Sequence, residues 1–312
     1  MADADYRITD LGGERVLSVD GVEYRTRYSA RLIRMLIERK GVRRAPLYFP
    51  FKETRGRHFL ERLFRYLRSR GARGLGVLEV GCSFGHITEY LNDEPLVAEI
   101  HTFDVDGAFV EMTRTKVEEL GLGKVRQVLH LTDEETRRLP FPDGRFDLVL
   151  AVGVVEHLPF RGRHRYVDEY YRILAPGGHI TILDTPNRLF PLETHSVGLP
   201  GIQWLPPRLA FRYARLCRPS RMRGVSFDAF MGGAWENASL RECLPSAGRP
   251  RVVDVTEEAG YGWRFFRDTA RSRTRRAALP LFAVPCGTLG ALGLPPSLAL
   301  PYFNLVFRKR EG

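Results

Sequence analysis

Residues Val77–Ile87 (VLEVGCSFGHI) place a carboxylate, two glycines and a helix start within one tight turn. Val77 to Val80 read as a short apolar strand broken only by Glu79. The chain then turns through Gly81, Cys82, Ser83, Phe84 and Gly85, and His86 opens a helix. Glycines in such a turn let a ligand approach the backbone with no Cβ in the way. The helix start behind them offers free N–H groups. Glu79 sets the sign of the ligand. It would repel a pyrophosphate and hold a cationic molecule that carries an amino group and a ribose.

A second carboxylate, Asp104, closes another apolar strand, Ile100–Phe103, some twenty-five residues later. The order acid-x-Gly-x-x-x-Gly, strand, acid resembles motif I and its sequel in the class I S-adenosylmethionine-dependent methyltransferases. The likeness continues through LPFPDGRFDLV (Leu139–Val149), VEHL (Val155–Leu158, read as a helix) and LAPGG (Leu174–Gly178, read as a turn into a strand). It covers Leu75–Asn187 well and Ser239–Arg310 only in outline. The resemblance implies S-adenosylmethionine as cofactor, held by Glu79, Gly81, Cys82, Ser83 and Gly85, with Asp104 and Val105 at the ribose. An acid after the third strand would meet adenine. Asp133 is the choice, with Glu134 and Glu135 beside it. Ala151, Val152 and Gly153 would line the pocket under the transferred methyl. Ser83 stands where the family has its middle glycine, which makes a positive φ there costlier. The rival dinucleotide fingerprint, Gly-x-Gly-x-x-Gly, fails because Ser83 and then Phe84 or His86 fall on its later glycines.

The segment after the fourth strand, VLAVGVVEHL, lacks the Asn/Asp-Pro-Pro-Tyr of enzymes that methylate exocyclic amines, so an oxygen or carbon acceptor is favoured. Methyl transfer from a sulfonium mostly needs alignment and exclusion of water. A hydroxyl acceptor also profits from a general base. Two histidines compete for that role, His157 and His195. Glu156-His157 resembles the Glu-His of the ubiquinone-biosynthesis O-methyltransferases. In those a further glutamate three residues earlier joins them at a metal; here that position is Gly153, and no metal is expected.

The elements that must position these residues alternate from Leu75 onward. Strands are expected at Val77–Val80, Glu99–Phe103, Val125–His130, Phe146–Ala151 and His179–Leu183, followed by Ser239–Gly248 as a crossover helix, Arg251–Thr256 and Tyr302–Arg308. With the resemblance, this gives an α/β fold: a doubly wound, mostly parallel seven-stranded sheet of Rossmann-like methyltransferase type. Residues 1–74 form an N-terminal extension to the domain at 75–312. It holds a hairpin around Asp20-Gly21, a helix capped by Ser29 and ended by Gly41, and a second helix over about Arg57–Arg70. That second helix buries Phe59, Leu60, Leu63, Phe64 and Leu67 and turns Arg57, Arg62, Arg65, Arg68 and Arg70 outward. Residues 186–238, rich in proline, aromatics and arginine, break the alternation and read as a substrate cap.

Residues 277–301 form an apolar insertion before the last strand. Ala277–Phe307 carries no charge and is flanked by arginines, yet its five prolines argue against a spanning helix. A hydrophobic hairpin beside the last strand is expected, with insertion into one membrane leaflet as the alternative. The 312 residues are 44% hydrophobic and 27% charged, and the net charge is +11, almost all of it arginine. That balance favours acidic partners such as an anionic membrane surface. A nucleic-acid partner is disfavoured for lack of a binding module. Four separated cysteines and an N-terminus with neither basic start nor apolar run point to a cytoplasmic protein, peripheral at the inner membrane surface if it meets lipid. The activity expected is methyl transfer to a small or lipid-linked molecule; the alternatives are an RNA methyltransferase and a non-catalytic protein that keeps the fold and binds S-adenosylmethionine.

Overall fold

The computed structural model describes residues 5–246 and 252–311. Seven strands form one mostly parallel sheet in the order Val125–His130, Val97–Asp104, Leu75–Val80, Phe146–Val152, Leu174–Pro186, Tyr302–Lys309 and Val252–Asp254, and three N-terminal strands form a separate antiparallel sheet. The chain divides into two compact units, Met1–Thr132 and Asp133–Gly312.

In the first unit, β1 (Tyr6–Asp10), β2 (Arg15–Val19) and β3 (Val22–Thr26) pair in sequence order. The hairpin at Asp20-Gly21 is as expected, both residues having positive φ. β1 is an addition whose mostly exposed residues give no sequence signal. Ser29 accepts the Leu32 amide and caps α1 (Ala30–Lys40), which Gly41 ends. α1 buries Leu32, Ile33 and Leu36 in a core with Leu17, Val19 and Tyr28, and Phe84 and Met112 share it. The extension is therefore packed directly on the motif I turn. α2 (Arg57–Ser69) buries the expected stripe plus Tyr66. Its arginine face is partly ion-paired, Arg65 with Glu61 and Arg68 with Glu94.

β4 (Leu75–Val80), α3 (His86–Asp93), β5 (Val97–Asp104), α4 (Gly107–Glu119) and β6 (Val125–His130) follow, and β5 pairs in parallel with both β4 and β6. Asp106 caps α4 as expected, accepting the Ala108 amide. Beneath α3 lies a buried polar group that the apolar pattern hides. Lys116 Nζ donates to the Tyr28 hydroxyl at 2.7 Å and to Glu89 Oε2 at 3.2 Å, and Arg27 pairs with the other Glu89 oxygen. Each buried charge is matched, as burial demands.

The second unit holds β7 (Phe146–Val152), α5 (Arg163–Ile173) and β8 (Leu174–Pro186), with β7 and β8 parallel. LAPGG is not a free turn, because β8 begins at Leu174 and accommodates Gly177 at φ 76°. VEHL is one 3-10 turn, Val155–His157; the helix starts only at Arg163, because Leu158, ahead of Pro159, is extended. After the cap helices α6 (Pro207–Cys217) and α7 (Phe227–Met231), the expected crossover helix is reduced to a 3-10 turn, Leu240–Cys243, boxed by Ser239 and Glu242. Pro245 stops it by forcing Leu244 into an extended conformation; Ala247, Gly248 and Arg251 of the expected elements lie outside the described residues. β9 (Val252–Asp254) and β10 (Tyr302–Lys309) complete the sheet, β10 running antiparallel to β8 and β9.

Between them stand α8 (Trp263–Asp268) and α9 (Arg273–Ala291). The uncharged run is thus no hairpin: α9 continues through Pro280 and Pro285, and of its residues only Cys286 is buried. A proline leaves the carbonyl four residues earlier without its donor. On an exposed helix, water takes those carbonyls, so the cost that excludes proline from a lipid span is avoided. No helix among the described residues is long and apolar enough to cross a membrane.

Candidate cofactor turn and acceptor group

β4 delivers Glu79 fully buried to the start of the turn, with Thr88 Oγ1 donating to Glu79 Oε2 at 2.5 Å. Burial pushes the Glu79 carboxyl up to about 8, against the pull of the Thr88 bond and of Lys116. A cation placed against it would reverse that shift. The turn uses three left-handed residues, Gly81 (φ 74°), Ser83 (φ 46°) and Gly85 (φ 67°). The strain expected at Ser83 is present, and the fold holds it in place. The Ser83 amide donates to Asp104 Oδ2 at 2.9 Å, and Thr113 Oγ1 donates to the Ser83 carbonyl at 3.2 Å. Gly81 and Cys82 amides both donate to the Phe103 carbonyl at 3.0 Å, which locks the turn to the end of β5. The Cys82 side chain is buried, so that residue offers backbone alone. Gly85 caps α3 with no side chain, leaving the first amides of the helix open to a carboxylate.

Asp104 also accepts the Asp106 amide through Oδ1 at 3.0 Å. Each of its oxygens keeps a second lone pair for a hydroxyl. Val105 is exposed beside it. This half thus combines a buried acid, a close-approach turn and an acid able to take hydroxyls, a set suited to a ligand with ammonium, carboxylate and ribose.

In the second unit, Ala151 and Val152 end β7 and Gly153 turns at φ 65°. Asp133 is exposed and binds Thr136 through its carbonyl only, whereas Glu134 is engaged by Arg137. His157 and His195 come together, ring centroids 5.1 Å apart and edge to face. His157 is solvent-exposed, yet partial desolvation of its ring, then the neighbouring ring and Arg163, lower its pKa to about 4. Burial likewise lowers His195. Both shifts favour the neutral ring, which keeps a lone pair. Glu156 beneath them is buried, and desolvation raises its carboxyl to about 8.

Sequence reasoning missed the two residues that hold this group. Glu193, fully buried, accepts the amides of His195 and Ser196 through one oxygen and of Val197 and Gly198 through the other, at 2.6 to 2.8 Å. Arg163 donates to the carbonyls of Glu156 at 3.0 Å, Leu158 at 3.2 Å and Asn237 at 2.7 Å. A glutamate opening a Thr-His-Ser-Val-Gly loop is the signal that could have marked the first; a lone arginine at a helix start gave none. The cap itself has its own core, with Trp235 stacked on Phe230 and packed among Val197, Leu199, Ile202, Ala210 and Ala214.

A parallel α/β sheet with its ligand turn after the first strand of the domain defines a Rossmann-like nucleotide-cofactor fold. Residues 78–182 match the family model of the methyltransferase domain. The chain carries a class I S-adenosylmethionine-dependent methyltransferase domain, and S-adenosylmethionine is its cofactor. It is 34% identical to a phosphatidylethanolamine N-methyltransferase of Cereibacter sphaeroides over 36% of this chain and 52% of that one. A demethylmenaquinone methyltransferase of Thermus thermophilus is 32% identical over 35% of this chain and 47% of its own length. The chain thus spans about half the length of these curated relatives. A solved methyltransferase from Aquifex aeolicus is 22% identical, covering 51% of this chain and 80% of its own, with a TM-score of 0.36.

Proposed function

We propose that the protein transfers the methyl group of S-adenosylmethionine to a hydroxyl of a lipid-linked or other small acceptor met at a membrane surface. The observation that carries the reading is the approach of the His157 and His195 rings to 5.1 Å after β7; the lowered pKa of each favours the neutral form that can take a hydroxyl's proton. Glu79 and Asp104 hold the cofactor's amino and ribose groups in this reading, the motif I amides its carboxylate, and Asp133 its adenine.

Binding should then be coupled to pH through Glu79. The ligand's ammonium favours the ionised carboxyl, but the unbound carboxyl titrates at about 8. Below that pH, binding must expel a proton. S-adenosylhomocysteine affinity is therefore expected to fall as pH drops, by up to about tenfold per unit, and the dependence should vanish in Glu79→Gln. Calorimetry across this window reads the slope, and a flat profile in the unsubstituted protein removes Glu79 from the site.

The lipid side of the reading rests on where apolar surface is exposed. Leu281 (76%), Val284 (72%) and Leu292 (69%) stand out from α9 and the residue after it, and Leu216 (80%) from α6. Phe282 of α9 stacks on Phe190 of the cap at 6.0 Å, which ties the helix to the cap. Arg273, Arg275 and Arg276 lie in the first turn of α9, and Arg271 just before it. The two relatives, whose names specify phosphatidylethanolamine and demethylmenaquinone, support a lipid-like acceptor. Sedimentation with anionic vesicles is expected to carry the protein down at low salt. Each arginine near the surface contributes about 1 kcal/mol, screened as salt rises. Leu281→Glu with Val284→Glu should leave it in the supernatant. No vesicle binding by the unsubstituted protein would move the acceptor to the soluble class.

A further inference from the structure

Lys116 is fully buried behind the motif I turn, a place that an apolar side chain would fill at less cost. Its Nζ donates to the Tyr28 hydroxyl and to Glu89 Oε2, and it stands 4.2 Å from the centre of the Tyr28 ring. Glu89 also pairs with Arg27, and Lys52 Nζ reaches it at 4.0 Å while pairing with Asp93. One carboxylate between Lys116 and Arg27 leaves positive charge in surplus. Arg27 is half exposed, so the cation held inside the protein is Lys116.

Two contacts bring that charge to the cofactor turn. A Cβ built on Gly85 would lie 3.4 Å from Lys116 Cδ, so the lysine stem runs against the turn itself. Thr88 and Glu89 are consecutive residues of α3, and the first binds Glu79 as the second binds Lys116. Glu79 feels Lys116 of α4 and Asp104 of β5, the first easing its ionisation and the second opposing it. The other titratable groups that face this pair are Cys82 in the turn, His86 and Glu89 on α3, and Arg27 and Tyr28 of the extension.

We propose that Lys116 is a positioning residue of the cofactor site: its ammonium, fixed behind the turn by Tyr28 and Glu89, favours the ionised Glu79 that receives the cofactor's amino group. This role rests on the reading of Glu79 as the partner of that amino group, and it adds what tunes the carboxyl. Desolvation disfavours a buried carboxylate, and a nearby cation offsets part of that cost. Without the lysine, burial and Asp104 act on Glu79 with only the hydroxyls of Thr88 and Thr102 against them. Because Tyr28 belongs to the N-terminal extension, the extension takes part in cofactor binding through this lysine.

The test is calorimetry of the full chain with S-adenosylhomocysteine from about pH 6.5 to about pH 9, for Lys116→Met beside the unsubstituted protein, with a melting curve for each. Loss of the cation raises the Glu79 carboxyl, so binding must expel its proton up to a higher pH. Affinity near neutral pH should therefore weaken by at least about threefold, and the difference should close toward the alkaline end. A lysine that only fills space would weaken binding equally at every pH. That result, or an unmoved profile, overturns the role. Lys52→Gln, which removes another charge near Glu89, should leave the profile in place; an equal shift there would make the effect one of net charge and overturn the role as well. Should Lys116→Met fail to fold, Lys116→Gln, which keeps a donor for Tyr28 and Glu89, decides in its stead. A flat profile in the unsubstituted protein is the failure of the Glu79 reading itself. A sloping one there, unmoved in the folded variant, is the failure of Lys116 alone.

Discussion

Gly81→Val is expected to abolish S-adenosylhomocysteine binding while the protein still unfolds in a single cooperative transition. Gly81 lies at φ 74°, a region that a β-branched residue enters only with strain of about 1–3 kcal/mol. Its amide is tied to the Phe103 carbonyl at 3.0 Å, so the turn cannot relax without leaving β5. A branched side chain would also fill the space that a ligand needs beside the backbone. Ser83→Gly is the opposite case. It relieves φ 46° at a residue whose contacts in the turn run through its amide and carbonyl, so binding should survive and stability rise by up to about 1 kcal/mol. Calorimetry and thermal melting read both variants. Normal affinity in a folded Gly81→Val protein would show that the turn does not hold the cofactor.

Replacing the histidines attacks the other half of the reaction. His157→Ala or His195→Ala should lower turnover by about a hundredfold or more, with cofactor affinity nearly unchanged. The rings face each other at 5.1 Å, so either loss leaves the other without its neighbour, and the double variant should fall well short of the product of the single effects. That split is the signature to seek: kcat falls and S-adenosylhomocysteine binding holds. Full activity in both single variants would leave alignment alone as the mechanism.

What the sequence disclosed follows from how local each feature is. Glu79, Gly81, Gly85 and Asp104 were legible because a strand, a tight turn and a helix start are written in consecutive residues. The Ser29 and Asp106 caps were legible for the same reason. α9 is hidden in the sequence because its prolines mark a helix break, whereas on an exposed helix water can replace the hydrogen bonds they remove. VEHL was read as a helix because Pro159 was given too little weight. The His157–His195 pairing could not be derived, since nothing in LETHSVGLP states where the loop returns; each residue was named as a candidate and only the fold joined them. The Lys116–Glu89–Arg27 group leaves no local mark in the sequence, because its members lie far apart in the chain and meet only in the fold.

The account stands on the motif I turn as the seat of S-adenosylmethionine, and titration calorimetry of Glu79→Ala and Asp104→Ala with S-adenosylhomocysteine tests it most directly. Each variant removes a charge-assisted contact worth roughly 1.5–3 kcal/mol, so affinity should fall about ten- to a hundredfold in each. Melting curves beside the titrations establish that the variants are folded, since Asp104 also holds the Ser83 and Asp106 amides. Weakened binding in both folded variants is the predicted result. Unchanged affinity at both positions would contradict the account at its root.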